Sequence, residues 1–354
     1  MESLPSHVRR LRSQLGASQR GIRDSLSTAP RSSHFNGHRF RNAEPEAGLS
    51  VGQMLGMLPS YLAADKTGKK PSAPVPLMRP DFPDTASELA VTWLGHASVL
   101  IEIDGYRVLA DPVFSDRVSP TQWVGPRRLH SVPVRLDELP TLDAVVISHD
   151  HYDHLDQATI MTLVGSTEAD FLVPLGVGAH LRSWGVPAAR TVELDWDGQH
   201  HIGTLTITCT PARHFSGRTT ARNATLWSSW SLVGPTKRVF FGGDTGYTPA
   251  FAEIGASYGP FDLCVLPIGA YDTAWSEIHM NPEEAVRACG DLGGGVLLPI
   301  HWATFDLARH DWSEPIERLL AASGGEALAL PVPGQRLVLG ELPSQQKWWR
   351  GAAE

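Results

Sequence analysis

The chain has 354 residues, of which 42% are hydrophobic and 19% charged. This composition is ordinary for a globular protein and allows one large core or two smaller ones. The net charge of −8 is uneven, because residues 1–88 carry 12 Lys and Arg against 8 Asp and Glu, whereas residues 89–354 carry 18 against 30. Since a phosphate backbone needs a basic face, the acidic C-terminal part argues against nucleic acid as the main partner.

The sequence also limits where the protein is expected to act. No run of residues approaches the ~18 consecutive apolar residues of a membrane span, and the N-terminus lacks the apolar segment of a secretory signal. The three cysteines, Cys209, Cys264 and Cys289, share no short spacing, which favours buried free thiols and a reducing compartment. We therefore expect a cytoplasmic protein.

The first 88 residues are predicted to form an N-terminal extension with a Pro-rich arm. Apolar residues and arginines within residues 8–22 could form a short amphipathic helix that contacts a membrane surface or acts as a targeting sequence. The alternative is a poorly ordered leader or a start site placed too early. A helix is predicted at 49–62, and the five prolines of residues 66–83 indicate an extended arm.

From residue 89 to residue 345 the pattern predicts one domain. Strands are predicted at 91–94, 99–103, 106–110, 142–148, 171–173, 191–193, 205–208, 225–233, 238–242, 263–267, 297–300 and 336–339. Helices are predicted at 157–164, 178–184, 249–254, 282–291 and 314–322. Early hairpins followed by alternating strands and helices predict an α/β fold of two mixed sheets packed face to face, with helices outside.

A histidine-rich motif follows the predicted strand at 142–148. Residues 149–154 read His-x-His-x-Asp-His and deliver several imidazoles and a carboxylate to one small volume. This set suits zinc or a similar metal and exceeds the needs of one tetrahedral ion, which indicates a two-metal site. The alternative is a His-rich surface turn without metal.

Three further candidate ligands, His214, Asp244 and His301, each follow a predicted strand. Strand ends that meet at one edge of a sheet are where α/β proteins gather their functional residues. These positions therefore favour the metal site over the surface turn.

The ordered set His149, His151, Asp153, His154, His214, Asp244 and His301 resembles the metallo-β-lactamase superfamily over residues 90–340. This resemblance implies a four-layer αββα sandwich that carries an N-terminal extension. Finer motifs resemble the branch of N-acyl-phosphatidylethanolamine-hydrolysing phospholipase D-like proteins. These motifs are residues 92–98, 111–114, 148–156, 211–218, 226–230, 268–271 and 279–285, together with the segment 34–40, which the resemblance suggests is ordered.

The resemblance also assigns roles to the candidate ligands. His149, His151 and His214 would hold one zinc ion, Asp153, His154 and His301 would hold the other, and Asp244 would bridge both. Other divalent transition metals could replace zinc. Asp153 could also orient the shared hydroxide.

Several residues beside this set have two interpretations each. His279 could contact the substrate or donate a proton to the leaving group. Tyr152 and Tyr271 could line the substrate pocket or be ordinary half-buried tyrosines. Asp111 could support a ligand histidine or form a turn, and Asp150 could face solvent or accept a hydrogen bond behind the ligands. His96 is interpreted as a core histidine rather than as a side chain that reaches the metal loop, by which we mean residues 149–154.

The predicted function is hydrolysis at this dinuclear site. The resemblance favours a phosphodiesterase of phospholipase D type that acts on N-acyl-phosphatidylethanolamine-like lipids through a metal-bridging hydroxide. A hydrolase of lactones, β-lactams or cyclic nucleotides is the second possibility, and a degenerate metal-binding scaffold is the non-enzymatic one. The expected partners are a small-molecule or phospholipid substrate and a peripheral membrane contact, while the oligomeric state stays open.

Overall fold

A computed structural model describes residues 21, 32–45, 67–218, 222–325, 327–341 and 346–353 of the chain. Two predicted helices, the amphipathic one within residues 8–22 and the one at 49–62, lie outside these described residues apart from Gly21. Within the described residues, no helix is long and apolar enough to cross a membrane.

The first sheet has seven strands in the order β13-β1-β2-β3-β4-β5-β6. They are β1 (Leu89–Gly95), β2 (Ser98–Ile103), β3 (Tyr106–Ala110), β4 (Ala144–Val146), β5 (Asp170–Pro174), β6 (Thr191–Leu194) and β13 (Arg336–Val338). Strands β2 and β3 form the predicted hairpin, since Asp104 and Gly105 both adopt left-handed backbone angles with φ of 46° and 87°. Strands β3 to β6 are parallel.

The second sheet has six strands in the order β12-β11-β10-β9-β8-β7. They are β7 (Gln199–Ile202), β8 (Leu205–Thr210), β9 (Ser229–Val233), β10 (Arg238–Phe241), β11 (Leu263–Pro267) and β12 (Val296–Ile300). Strand β7 was not predicted, because its sequence Gln-His-His-Ile is polar and its residues alternate between exposed and half-buried at the sheet edge. Strands β10, β11 and β12 are parallel, whereas β7 to β10 are antiparallel neighbours.

Two predicted strands are shorter than expected because their backbone bonds turn away from the ladder. Strand β4 ends at Val146: the Ile147 amide makes the last ladder bond to Leu172 of β5, and the Ser148 amide donates instead to the Asp111 carboxylate. Strand β9 begins only at Ser229, since the Ser228 amide donates to the Ser148 carbonyl. Both deviations bring chain segments towards the His-rich motif.

Helices flank the two sheets as predicted. They are α1 (Gln157–Ser166), α2 (Gly178–Ser183), α3 (Ala250–Tyr258), α4 (Pro282–Asp291), α5 (Glu314–Ala322) and the unpredicted α6 (Arg350–Ala353), with short 3₁₀ turns at Leu136–Glu138, Ala188–Arg190 and Thr273–Trp275. Helix α4 begins with a capping box, in which Asn281 and Glu284 each accept the other's backbone N–H, and Pro282 is its first residue.

Alternation along strand β2 shows the layered packing. Val99 and Ile101 point into the main core, which contains Trp230 of the second sheet, whereas Leu100 packs into a separate core with Ile160 of α1. Residues of α3, α4 and α5 belong to the main core on the side of the second sheet. The four-layer αββα fold is therefore confirmed. The three cysteines are free and buried, also as predicted.

Candidate metal centre

The predicted ligands meet where four strands end. The motif of residues 149–154 begins three residues after β4, and His214 follows β8 by four residues. Asp244 comes three residues after β10, and His301 comes directly after β12. Because strands β8, β10 and β12 run in the same direction, their C-terminal ends share one edge of the second sheet. All seven predicted ligands are brought together there.

The first group of side chains consists of His149, His151 and His214, whose ligand atoms lie within 4.8 Å of one another. His151 Nδ1 is 2.8 Å from His149 Nε2 and 3.3 Å from His214 Nε2. The Nδ1 of His214 donates to the carbonyl of Ile278 at 2.9 Å, which leaves the Nε2 lone pair free to face the group. This is the set predicted for one metal ion.

The second group consists of Asp153, His154 and His301, and it includes a fourth member, His96. The Nε2 atoms of His96, His301 and His154 lie 3.0, 3.4 and 3.6 Å from Asp153 Oδ2. Burial lowers the pKa of His96 to about 3, so its contact with Asp153 is a hydrogen bond from a neutral imidazole.

The interpretation of His96 as only a core histidine is therefore wrong. His96 lies in the turn between β1 and β2 with a left-handed φ of 53°, and its carbonyl accepts the amide of His301 at 3.0 Å. Strand β1 thus delivers His96 to the metal loop from the first sheet. A histidine at a Gly-His turn directly after a predicted strand was the available signal in the sequence.

Asp244 lies between the two groups. Its Oδ2 is 3.1 Å from His154 Nε2 and 3.8 Å from His214 Nε2, while its Oδ1 is 3.2 Å from His301 Nε2. Asp244 thus faces members of both predicted sites, which is the placement expected of a bridging carboxylate. His279 lies beside Asp244, with its Nδ1 3.9 Å from Asp244 Oδ2.

The two histidines nearest Asp244, His154 at 3.1 Å and His301 at 3.2 Å, have raised pKa values, whereas other histidines of the cluster have lowered ones. Burial opposes the charged form of His301, but Asp244 and Asp153 outweigh it and raise its pKa to about 9. His154 responds in the same way, with a pKa well above the usual value. Burial instead lowers the pKa of His149 and His214 well below that value. Burial also disfavours ionised Asp244, yet the imidazoles of His154 and His301 hold its pKa well below the usual range.

The residues fit bound metal ions. Within the described part of the chain, the buried atoms His154 Nε2, His301 Nε2 and Asp244 Oδ1 have no hydrogen bond of good geometry, although they face one another closely. Buried polar atoms are normally hydrogen-bonded, so a cluster of unsatisfied nitrogen and oxygen atoms is typical of a coordination site. Imidazole with carboxylate suits zinc and similar divalent transition metals.

We expect metal binding to this cluster to release protons. At pH 7.5 the metal-free His301, with its pKa of about 9, is protonated, and the ion must displace that proton. The apparent affinity should therefore rise with pH up to about 9, by about tenfold per unit for each displaced proton. Calorimetric titration in buffers of different ionisation enthalpy measures the release. Equal heats in all buffers would contradict the protonated state assigned to His301.

Asp111 supports His154 from behind. Its carboxylate is fully buried and accepts hydrogen bonds from His154 Nδ1 at 2.7 Å, the Ser148 amide at 2.7 Å and the Ser148 hydroxyl at 2.5 Å. These contacts fix the His154 tautomer with Nε2 towards the cluster. Both interpretations of Asp111 hold, since it also turns the chain after β3 with a φ of 39°.

Gly243 allows the two sheets to approach at the site. It has a left-handed φ of 57°, and a Cβ atom placed there would lie 2.4 Å from the Cβ of Ser148. Any larger residue would push Ser148 away from Asp111 and from His149, whose Nδ1 is 2.9 Å from the Ser148 hydroxyl.

Asp150 does not face solvent, so that alternative is wrong. It is 3% exposed, its Oδ1 accepts the Gly217 amide at 2.7 Å, and its Oδ2 lies 3.3 Å from His180 Nε2. The neighbouring Arg218 donates to the backbone carbonyls of Asp150 and Leu155. Asp150 and Arg218 thus join the loop of His149 to the loop of His214. Arg218 is the last residue of the motif at 211–218, whereas His180 lies in no motif noted in the sequence.

The two predicted pocket tyrosines differ in position. Tyr152 is half-buried, donates its hydroxyl to the Arg218 carbonyl at 3.2 Å and stacks beneath the Arg218 guanidinium at 4.0 Å. Tyr271 donates to Glu314 at 2.7 Å and stacks on His310 at 4.7 Å. Their roles as substrate contacts stay predictions.

Comparison with known proteins identifies the family to which the chain belongs. The profile of the Beta-lactamase superfamily domain matches residues 106–302, more than half of the chain. The chain belongs to the metallo-β-lactamase superfamily. It is a metal-dependent hydrolase of this superfamily, and the resemblance noted from its motifs is confirmed.

Relatives within the superfamily span most of the chain. An uncharacterized protein of Mycobacterium tuberculosis is 54% identical over 343 residues, covering 95% of this chain and 91% of the relative. The N-acyl-phosphatidylethanolamine-hydrolyzing phospholipase D 1 of Caenorhabditis elegans is 37% identical over 271 residues, covering 73% of this chain and 76% of the relative. The solved isothiocyanate hydrolase from Delia radicum gut bacteria aligns with a TM-score of 0.57 at 20% identity, covering 71% and 99%, which supports the metallo-β-lactamase fold alone.

Proposed function

We propose that the protein is a zinc-dependent phosphodiesterase of phospholipase D type that acts on N-acyl-phosphatidylethanolamine-like lipids. The observation that carries the proposal is the position of Asp244, which faces both groups of ligand histidines within 3.8 Å. Such an arrangement fits two metal ions, and two cations side by side suit the in-line displacement at a phosphodiester because both can hold its oxygens. The relative from C. elegans, named for hydrolysis of this lipid class, supports the same substrate.

His149, His151 and His214 would hold one ion, and Asp153, His154 and His301 the other, with Asp244 between them. The bound ions would lower the pKa of water towards ~7 and neutralise charge on the phosphoryl oxygens. Asp153 has a further role, since hydrogen bonding from His96 Nε2 at 3.0 Å fixes its carboxylate where it can orient the attacking water. The buried surroundings of these carboxylates strengthen their electrostatic effect.

His279 is best suited to contact the substrate. Its side chain is 13% exposed, whereas that of His301 is 1% exposed, so His279 lies on the open side of the cluster. Burial lowers its pKa to about 4, which leaves the imidazole neutral at pH 7. A neutral imidazole favours a hydrogen bond to the bound substrate over proton donation to the leaving group.

Relative rates test the proposed substrate class. We expect kcat/KM for N-acyl-phosphatidylethanolamine, or for an aryl phosphodiester, to exceed that for a lactone, a β-lactam and a cyclic nucleotide. The Asp244→Asn variant serves as the control that assigns each rate to the metal centre. A tenfold advantage for one of the other substrates, about 1.4 kcal/mol of transition-state preference, would replace the phospholipase assignment. Hydrolysis of none of them would favour a metal-binding scaffold.

We also propose that the enzyme is cytoplasmic and contacts membranes at their surface. The loop between β3 and β4 presents Trp123 and Val124, which are 71% and 65% exposed, with the exposed Arg127 beside them. At its base, Val113 and Val118 pack with Tyr152 of the metal loop. An exposed tryptophan with adjacent arginine is typical of a segment that binds the interface of an anionic bilayer.

Loss of this apolar tip should weaken membrane binding. We expect the double variant Trp123→Ala with Val124→Ala to co-sediment with phosphatidylglycerol-containing vesicles at least about fivefold less than the parent, since two apolar side chains leave the interface. Its rate on a soluble aryl phosphodiester should be unchanged. Met161→Ala, which removes a 51% exposed side chain from α1, is the matched control. Equal binding by the double variant and the parent would exclude this loop as the contact.

A further inference from the structure

The segment of residues 32–45 lies against the metal centre, although it is separated from the ligands by more than a hundred residues of sequence. Asn42 pairs with both backbone groups of one metal-ligand candidate: its Nδ2 donates to the carbonyl of His214 at 2.8 Å, and its Oδ1 accepts the His214 amide at 3.1 Å. The same Oδ1 accepts the indole N–H of the buried Trp227 at 3.0 Å. The Asn42 side chain thus bonds to His214 as a neighbouring β-strand would.

The segment that carries Asn42 is anchored on both sides of it. Phe40 is fully buried, and its amide donates to the carbonyl of Asn223 at 2.9 Å. Further along, the side chain of Glu44 accepts a hydrogen bond from Thr248. At the start of the segment, the His34 ring packs on Trp196 with centroids 4.2 Å apart. Asn42 is therefore held in place by contacts that do not involve His214.

Among the described contacts, Asn42 is the partner of both backbone groups of His214, while the neighbouring Arg213 is held by Thr245 and Gly246 in the loop that follows β8. The side chain of His214 is fixed at one end by the Ile278 carbonyl, and its Nε2 faces His151 at 3.3 Å and Asp244 at 3.8 Å. A displacement of the backbone would move Nε2 away from both. An apolar residue at position 42 would leave an amide and a carbonyl of His214 without these partners, which is costly in a buried site.

We propose that Asn42 is a positioning residue for His214. Residues 32–45 thereby help to hold the metal centre in place. This inference rests on His214 as a metal ligand and is independent of the substrate class. Partners that orient a metal ligand typically contribute 10–100-fold to metal affinity. The effect is confined to the ion held by His149, His151 and His214, because Asn42 bonds to no member of the second group within the described contacts.

Zinc titration of the full chain against a chromophoric chelator tests the proposal. The parent is titrated first, and His214→Ala identifies the equivalent of zinc that depends on this ligand. In Asn42→Ala that same equivalent should bind about 10–100-fold more weakly, while the other changes by less than about twofold. Asn42→Asp keeps the acceptor for the His214 amide and loses the donor to its carbonyl, so an intermediate loss is expected.

Asn36→Ala is the matched control, since Asn36 lies in the same segment, is exposed, and accepts only the amides of His38 and Arg39 among the described contacts. Its zinc affinities should equal those of the parent. Two results would overturn the proposal: parent-like affinity in Asn42→Ala, or equal weakening of both equivalents together with a lower melting temperature of the metal-free protein, which would assign Asn42 a general structural role. If the parent itself bound no zinc, the ligand assignment would fail instead.

Discussion

Asp244→Asn should reduce the bound metal from about two equivalents to one or fewer and lower kcat/KM by more than about 100-fold. The substitution preserves size but removes the charge that lies within 3.2 Å of both His154 and His301. Without it, two dications would be held close together with one fewer neutralising carboxylate. Residues that merely support a ligand contribute 10–100-fold, so a carboxylate facing both groups should contribute more. Metal analysis after gel filtration, combined with steady-state kinetics, measures both effects.

Asp137→Asn is the control for this substitution, because it makes the same chemical change on a side chain that is 62% exposed and, among the described residues, ion-paired with Arg135 alone. Metal content and rate should match the parent there. His301→Ala offers a graded comparison: it should empty one site and spare the other, since His149, His151 and His214 remain. Parent-like metal content in Asp244→Asn would show that this carboxylate is not shared between two ions.

Removal of the metal should abolish hydrolysis. In the proposed site the imidazoles and carboxylates of the described cluster serve as metal ligands, so the ions would supply the nucleophile as a water of lowered pKa. After dialysis against a strong chelator, the rate should fall to the uncatalysed background, and about two equivalents of zinc per chain should restore it. The rate on an aryl phosphodiester and the metal content, measured on the same sample, decide the outcome.

The control for this experiment is a parallel sample dialysed against chelator already saturated with zinc, which tests for loss caused by handling. Circular dichroism of the metal-free sample shows whether the fold persists, since the large core between the sheets is built from side chains that do not touch metal. Full activity in a sample free of metal would refute the proposed chemistry.

The sequence alone predicted those parts of the site that depend on local spacing. His149, His151 and His154 lie within six residues of chain after an apolar strand, so the turn that follows β4 must bring them close together. His214, Asp244 and His301 could be added because each follows a strand, and ends of strands that run in one direction meet at one edge. The start of α4 at Asn281 was likewise predictable, as its capping box is contained within four residues.

Only the tertiary structure decided which distant residues support that site. Asn42 contacts His214 across 172 positions, Asp150 contacts Gly217 across 67, and His96 reaches Asp153 across 57. None of these contacts follows from periodicity or spacing, because they depend on how the two sheets and the N-terminal segment pack against one another. Burial also decided between the two interpretations of Asp150, whose charge needs hydrogen-bond partners that only the folded chain supplies. The sequence therefore determined the candidate ligands, and the packing of the sheets determined what holds each of them in place.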